Sequence, residues 1–182
     1  MSADCLRTLL EQGLTVSCAV IFAGAPPARA DMVTDWNANT EQAILTALQG
    51  PPVQGRFLAI VHAAIYDAVN GIEPKYTPYF VTEPGPRGAS TDAAAAQAAY
   101  TVLVAYYPTQ KAILDVQLAD SLAKIPGHQG PSRRIARGRD WGEKVAKQIL
   151  AWRANDGFTT PIPGYFGGGA AGVGGAGVAA DP

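Results

Sequence analysis

The sequence predicts an all-α protein: a bundle of about five helices followed by a disordered, Gly/Ala-rich C-terminal tail. Apolar residues recur at helical spacing in several segments, and proline and glycine separate those segments. No segment shows the apolar–polar alternation that is typical of a strand. At 48% hydrophobic and 16% charged residues, the 182-residue chain has enough apolar content to form a folded core.

The net charge excludes one class of partner. The chain has 14 lysines and arginines against 15 acidic residues, which gives a formal charge of −1. Binding to nucleic acid depends on neutralising phosphates with basic side chains, and binding to an anionic membrane surface depends on a similar attraction. We therefore expect no nucleic-acid partner.

Residues 1–30 have the pattern of a signal peptide. Arg7 precedes a stretch that carries no charge between Glu11 and Arg29. The apolar run within it, residues 14–25, is too short to span a bilayer but suits a signal-peptide core, and small residues precede a cleavage point after Ala30. An uncleaved membrane anchor is the alternative, and the acidic residues Asp4 and Glu11 weaken the usual basic flank.

Cleavage after Ala30 would remove Cys5 and Cys18, the only cysteines of the sequence. The mature chain would then contain no disulfide and no thiolate ligand or nucleophile. We expect a periplasmic or secreted protein with no stable membrane span after cleavage.

Helical spacing and helix-ending residues divide the first half of the mature chain. A first helix is predicted over residues 34–49 and a second over 52–70, with Gly71 as its C-terminal cap. The second helix has the most regular apolar stripe of the chain, formed by Phe57, Ile60, Val61, Ala64, Ile65 and Ala68. Residues 72–91 contain four prolines and are predicted to form a surface loop.

Three further helices are predicted in the second half. Ser90 is expected to cap an alanine-rich helix that ends near Tyr106, and Pro108 to open the next helix. The last helix is predicted to begin after Ser132 and to end near Asn155. Its expected buried seam consists of Trp141, Val145, Gln148, Ile149 and Trp152.

These assignments give three regions: a signal peptide at 1–30, a helical domain at 31–158 and a Pro/Gly/Ala-rich tail at 159–182. The tail has too few large apolar side chains to offset the entropy of ordering it. Residues 172–177 match G-x-G-x-x-G, but a glycine-rich stretch precedes them where a nucleotide-binding motif needs a strand. We interpret this match as coincidence.

The sequence offers few groups for chemistry. The two histidines, His62 and His128, lack the spacing of a zinc site. The serines at 90, 121 and 132 do not stand in the strand–turn–helix setting of a nucleophile elbow. Four arginines lie near the start of the last helix: Arg133, Arg134, Arg137 and Arg139. They suggest either a phosphate site or a solvated face, and the solvated face is favoured because cations near a helix N-terminus oppose the helix dipole.

The densest polar cluster consists of His62, Tyr66, Asp67 and Asn70 on the second helix. At about 100° per residue, His62, Tyr66 and Asn70 share one stripe, with Asp67 at its flank. One interpretation is a small acid–base site. The other is a buried helix whose polar side chains order its contacts through hydrogen bonds, and this structural interpretation is favoured.

Several ordered segments resemble one family. Residues 56–70, RFLAIVHAAIYDAVN, are similar to the N-terminal part of exported bacterial proteins related to vanadium-dependent haloperoxidases. That group belongs with the type 2 phosphatidic acid phosphatases. Three further segments agree with it: DWN at 35–37, AYYP at 105–108 and ILAWRANDG at 149–157.

The resemblance implies a helical scaffold and, in whole family members, a site for vanadate or phosphate. Family members hold that oxyanion with motifs of the form K-x6-R-P, P-S-G-H and S-R-x5-H-x3-D, and none of these occurs in this sequence. We therefore assign no catalytic, cofactor-binding or metal-binding residue to this chain. We expect the vanadate or phosphate site only in a catalytic half that this chain lacks, after a truncation or frameshift near Pro163.

Three hypotheses for the function follow. The first is an exported N-terminal fragment of a haloperoxidase- or phosphatase-like protein that is inactive alone and packs against a catalytic helical bundle. The second is a periplasmic helical binding or interaction protein without catalysis, which is expected to be a monomer or a homodimer. The third is a non-functional remnant that would aggregate or form a molten globule, because it leaves an apolar face in water.

Overall fold

The computed structural model describes residues 31–126, 132–158 and 160, and in these ranges it contains five α-helices and no strand. The helices are α1 (Met32–Thr46), α2 (Pro51–Ile72), α3 (Thr91–Tyr106), α4 (Lys111–Ala123) and α5 (Arg133–Arg153). A 3₁₀ turn (Pro108–Gln110) precedes α4. This confirms the predicted all-α class. The predicted signal peptide, both cysteines, His128, the G-x-G-x-x-G match and nearly all of the tail lie outside the described residues.

The alanine-rich helix α3 lies at the centre and contacts each of the other four α-helices. Residues 93–99 on this helix are all buried. Because alanine side chains are short, neighbouring helices can approach the α3 backbone closely. The core therefore surrounds α3, with Trp36, Val61, Leu103 and Val145 among its fully buried side chains.

Two glycines let α5 pack directly on α3. A Cβ atom added at Gly138 would overlap the carbonyl oxygen of Ser90, and one added at Gly142 would overlap the carbonyl oxygen of Ala94. The indole Nε1 of Trp141, between these glycines, donates to the carbonyl oxygen of Ala68 at 2.9 Å. This contact joins α5 to α2 as well.

The N-terminal boundaries of two helices differ from those predicted. Helix α1 begins at Met32 because the Asp31 carboxylate caps it, accepting a hydrogen bond from the Thr34 N–H at 2.8 Å. Pro108 opens the 3₁₀ turn rather than α4 itself. The predicted cap of α3 is confirmed, since Ser90 Oγ accepts from the Ala93 N–H at 3.2 Å.

The predicted C-terminal ends of α1, α2 and α5 also need correction, whereas α3 ends at Tyr106 as predicted. Helix α1 ends at Thr46, three residues early, and Leu48 adopts a φ of 52° just beyond it. Gly71 is not a C-terminal cap, because α2 continues to Ile72. A Cβ atom at Gly71 would lie 2.7 Å from Cζ2 of Trp141, so the glycine is needed for packing. Helix α5 ends at Arg153, two residues before the predicted end.

None of the helices in the described part of the chain combines the length and the apolar character needed to cross a membrane.

Candidate functional site

The predicted polar cluster lies on one side of α2, next to an open cavity of about 470 Å³. His62, Tyr66 and Asn70 all line this cavity, which confirms that the three share a face of the helix. Apolar walls come from Val33 on α1 and from Ile65 and Val69 on α2. Asp67 does not line the cavity and is 1% exposed.

The Asp67 carboxylate holds the segment that follows α2. Oδ1 accepts a hydrogen bond from the Tyr79 N–H at 2.7 Å, and Oδ2 accepts from the N–H groups of Phe80 and Val81, both at 2.8 Å. Backbone donors of this kind stabilise a buried carboxylate in place of water. Asp67 therefore fixes the course of three consecutive residues.

Asn70 and Tyr66 hold the earlier part of the same segment. Asn70 Oδ1 accepts from the N–H groups of Lys75 and Tyr76, both at 3.0 Å, and its Nδ2 donates to the Tyr76 carbonyl oxygen at 2.7 Å. The Tyr66 hydroxyl donates to the carbonyl oxygen of Thr77 at 2.9 Å. Together with Asp67, these side chains form hydrogen bonds along most of residues 75–81.

His62 connects α2 to α1. Its Nε2 lies 2.9 Å from Oδ1 of Asn37, while Nδ2 of Asn37 donates to Oε1 of Glu41 at 2.8 Å. With Asn37 oriented in this way, its Oδ1 is the acceptor and Nε2 of His62 is the donor. All four members of the cluster thus have hydrogen-bond partners that order the fold, in agreement with the structural interpretation.

The segment held by Asp67 carries an exposed group of aromatic side chains. Trp152 stacks on Phe80 with 4.5 Å between ring centroids, and Tyr79 meets Trp152 edge-on at 5.8 Å. Tyr79 is 62% exposed, and Trp152 and Phe80 are about 40% exposed. We call Tyr79, Phe80 and Trp152 the aromatic surface. The predicted buried seam is therefore correct for Trp141, Val145 and Ile149, which are buried, but not for Trp152. Its remaining member, Gln148, is only half-buried.

The other candidate residues named from the sequence lie on different elements of the fold. Ser90 caps α3, Ser121 is buried in α4 and Ser132 precedes α5, so none shares an element with His62. The arginines near the start of α5 are exposed, and one of them, Arg139, donates from Nε to Oε1 of Gln97 at 3.0 Å. Within the described residues, no three His, Cys, Asp or Glu side chains form a group that could hold a metal ion.

Sequence reasoning missed the aromatic surface and the partner of His62. Tyr79 and Phe80 belong to an irregular segment, where no periodicity indicates which side chains lie near α5. Asn37 lies 25 residues before His62 in the sequence. A hydrogen bond between two helices carries no spacing signal.

The two longest segments of the family resemblance meet in the fold. Arg56 at the start of residues 56–70 forms an ion pair with Asp156 in residues 149–157, with 2.5 Å between Nη1 and Oδ2. Comparison with protein-family models, with curated proteins and with solved structures finds no match to this chain.

Proposed function

We propose that this chain is an exported helical unit of a protein related to the vanadium haloperoxidase and type 2 phosphatidic acid phosphatase superfamily. It has no haloperoxidase or phosphatase activity alone and binds a catalytic helical bundle through the aromatic surface. The family part of this proposal rests on the resemblance of four segments. The binding part rests on one observation: Asp67 holds Tyr79 and Phe80 against Trp152 while all three rings remain accessible.

The aromatic surface has the chemistry of an interface centre. Tryptophan and tyrosine are enriched among the residues that contribute most to binding between proteins. The three hydrogen bonds to Asp67 already fix the backbone of residues 79–81. A partner would therefore bind without the entropic cost of ordering this segment.

The choice of a catalytic bundle as partner comes from the resemblance. Family members hold vanadate or phosphate with three motifs, and this sequence contains none of them. The polar cluster on α2, which was the strongest acid–base candidate, forms hydrogen bonds to α1 and to residues 75–81 instead. The oxyanion motifs would accordingly belong to the partner bundle.

Site-specific photo-crosslinking in the source organism tests the partner. A benzophenone amino acid replaces Phe80 in one variant and Ile113 in the control; Ile113 is equally apolar and is 60% exposed on α4. We expect the Phe80 position alone to give an adduct, with a protein that contains the K-x6-R-P, P-S-G-H and S-R-x5-H-x3-D motifs. A second copy of this chain, an unrelated protein or no adduct at Phe80 would refute the proposed partner.

Activity measurements on the purified full chain test the absence of catalysis. We expect no bromide oxidation by peroxide and no phosphomonoester hydrolysis, with or without added vanadate. Turnover that disappears in the His62→Ala variant would contradict the proposal and restore the acid–base interpretation of the α2 cluster.

A further inference from the structure

Two arginines from distant parts of the sequence converge on one carboxylate at the end of the bundle. Arg56 lies in the second turn of α2, and Arg153 is the last residue of α5. Nη1 of Arg56 lies 2.5 Å from Oδ2 of Asp156, and Nη2 of Arg153 lies 3.0 Å from the same oxygen. The Arg56 side chain is only 14% exposed. Two cations thus share one anion.

These arginines have fewer hydrogen-bond acceptors than their burial requires. A guanidinium group has five N–H donors, and buried charged groups are normally well hydrogen-bonded. Within the described residues, the Nε atoms of Arg56 and of Arg153 are both buried without a partner. The Asp156 carboxylate is the only acceptor that Arg56 has in that part of the chain. An additional acceptor would satisfy donors on both side chains.

A cavity of about 150 Å³ lies beside the two arginines and is lined by both of them. Its other walls are apolar or aromatic: Ala59, Ile60 and Ala63 from α2, Ile149 and Trp152 from α5, and Tyr79 from the loop. The volume suffices for a small organic molecule. These walls and the adjacent arginines favour a ligand that has an apolar body next to a charged group.

We propose that this cavity binds the carboxylate of a small organic acid with an apolar body. Asp156 neutralises one of the two arginines, so the site has a net charge of about +1 that matches a monoanion. The apolar walls disfavour a more strongly hydrated dianion such as phosphate. A carboxylate accepts two hydrogen bonds side by side, which suits the planar guanidinium group.

Calorimetric titration of the full chain with benzoate tests this proposal. We expect binding with a Kd of about 1 mM or tighter, and at least about tenfold weaker binding of benzamide, which has the same shape without the charge. Quenching of Trp152 fluorescence should follow the same curve, because this ring lines the cavity. Inorganic phosphate should bind at least about tenfold more weakly than benzoate.

Two variants locate the site. Arg153→Gln should weaken benzoate binding by at least about tenfold, whereas Arg133→Gln, an exposed control on the same helix, should leave it within about twofold. Ala63→Leu fills the cavity without altering a charge and should abolish binding, which keeps the proposal testable if Arg153→Gln fails to fold. Equal affinity for benzamide or phosphate, equal effects of both arginine variants, or no benzoate binding would overturn it. Tyr79 and Trp152 belong both to this cavity and to the aromatic surface, but benzoate binding is measured on the chain alone, so its outcome does not depend on the proposed catalytic partner.

Discussion

Asp67 shows how a single buried carboxylate can organise an irregular segment. The segment after α2 contains prolines and has no regular backbone ladder, so its N–H groups need acceptors from elsewhere. Asp67 supplies acceptors for three of these N–H groups, and Asn70 supplies one for two more. Both residues lie near the C-terminal end of α2, close to where the segment begins. The aromatic surface therefore depends on side chains that it does not contain.

Asp67→Ala should destabilise the protein strongly. The substitution leaves one buried and two partly buried N–H groups without their acceptor, and an unsatisfied buried group costs about 1–3 kcal/mol. We expect the free energy of unfolding in urea to fall by at least about 3 kcal/mol. Asp120→Ala, at an exposed position of α4, should change it by less than about 0.5 kcal/mol. Similar values for the two variants would show that Asp67 does not hold the segment.

Tyr107 gives the stability a dependence on alkaline pH. Burial raises the pKa of Tyr107 to about 12, while an unfolded tyrosine titrates near pH 10. Between about pH 10 and pH 12 the unfolded state therefore binds fewer protons, and the free energy of unfolding falls as the pH rises. The hydroxyl also donates to Oε1 of Gln49 at 2.8 Å, which favours the protonated form.

Tyr107→Phe removes this titration. We expect its free energy of unfolding to fall less steeply between about pH 10 and pH 12 than that of the unmodified protein, as measured by urea denaturation at each pH. Tyr76→Phe, the same substitution at a tyrosine that is 71% exposed, is measured alongside for comparison. Identical slopes for all three proteins would contradict this assignment.

At the scale of the elements, two glycines of α5 allow this helix to pack directly against α3. Gly138 and Gly142 lie four residues apart, on one face of α5, and both meet the backbone of the α3 region. Ser90 N–H donates to the Arg134 carbonyl oxygen at 3.0 Å at the start of the same contact. The two backbones therefore approach closely here, and Ala93 Cβ is the only side-chain atom among the nearest contacts of these glycines.

Gly142→Ala should therefore destabilise the bundle. The new methyl group would overlap the carbonyl group of Ala94, and overpacking of this kind costs about 1–3 kcal/mol. The matched control is Gly55→Ala in α2, where an added Cβ meets nothing within 4 Å. That substitution should stabilise the protein by about 0.5–1 kcal/mol, because alanine has the higher helix propensity. Thermal unfolding measured by circular dichroism should give melting-temperature changes of opposite sign.

Local features of the fold were predictable from the sequence, whereas the role of Gly71 was not. Periodicity gave the class, the order of the helices and the face shared by His62, Tyr66 and Asn70, because these depend on local geometry. Gly71 was misassigned because a helix-ending glycine and a glycine packed against Trp141 look identical in sequence. The aromatic surface could not be predicted for a similar reason, since its rings come from α5 and from an irregular segment.

At the scale of the molecule, every described helix contributes buried residues to one core. Trp36 on α1, Val61 on α2, Leu103 on α3, Leu114 on α4 and Val145 on α5 are all about 1% exposed or less. The hypothesis of a non-functional remnant requires a core that is open to water, and these buried side chains argue against it. A continuous core around α3 favours cooperative folding.

The full chain should accordingly unfold in one cooperative transition. We expect a near-UV circular dichroism signal from the buried Trp36 and Trp141, lost at the same urea concentration as the helical signal. A molten globule would instead keep the helical signal without the near-UV signal and would bind ANS strongly. That second outcome would support the remnant hypothesis.

The proposed function also includes export, which requires cleavage after Ala30. The N-terminal cap of α1 is compatible with that cleavage. Removal of residues 1–30 would leave Asp31 as the first residue, and its carboxylate caps α1 through Thr34 without using any preceding residue. The hydrogen bonds from Thr34 lower the pKa of Asp31, so the cap stays ionised at neutral pH. N-terminal sequencing of the protein from the periplasm or medium should therefore begin at Asp31, and Ala30→Phe should block processing. Recovery of the chain in the cytoplasm with residues 1–30 intact would refute export.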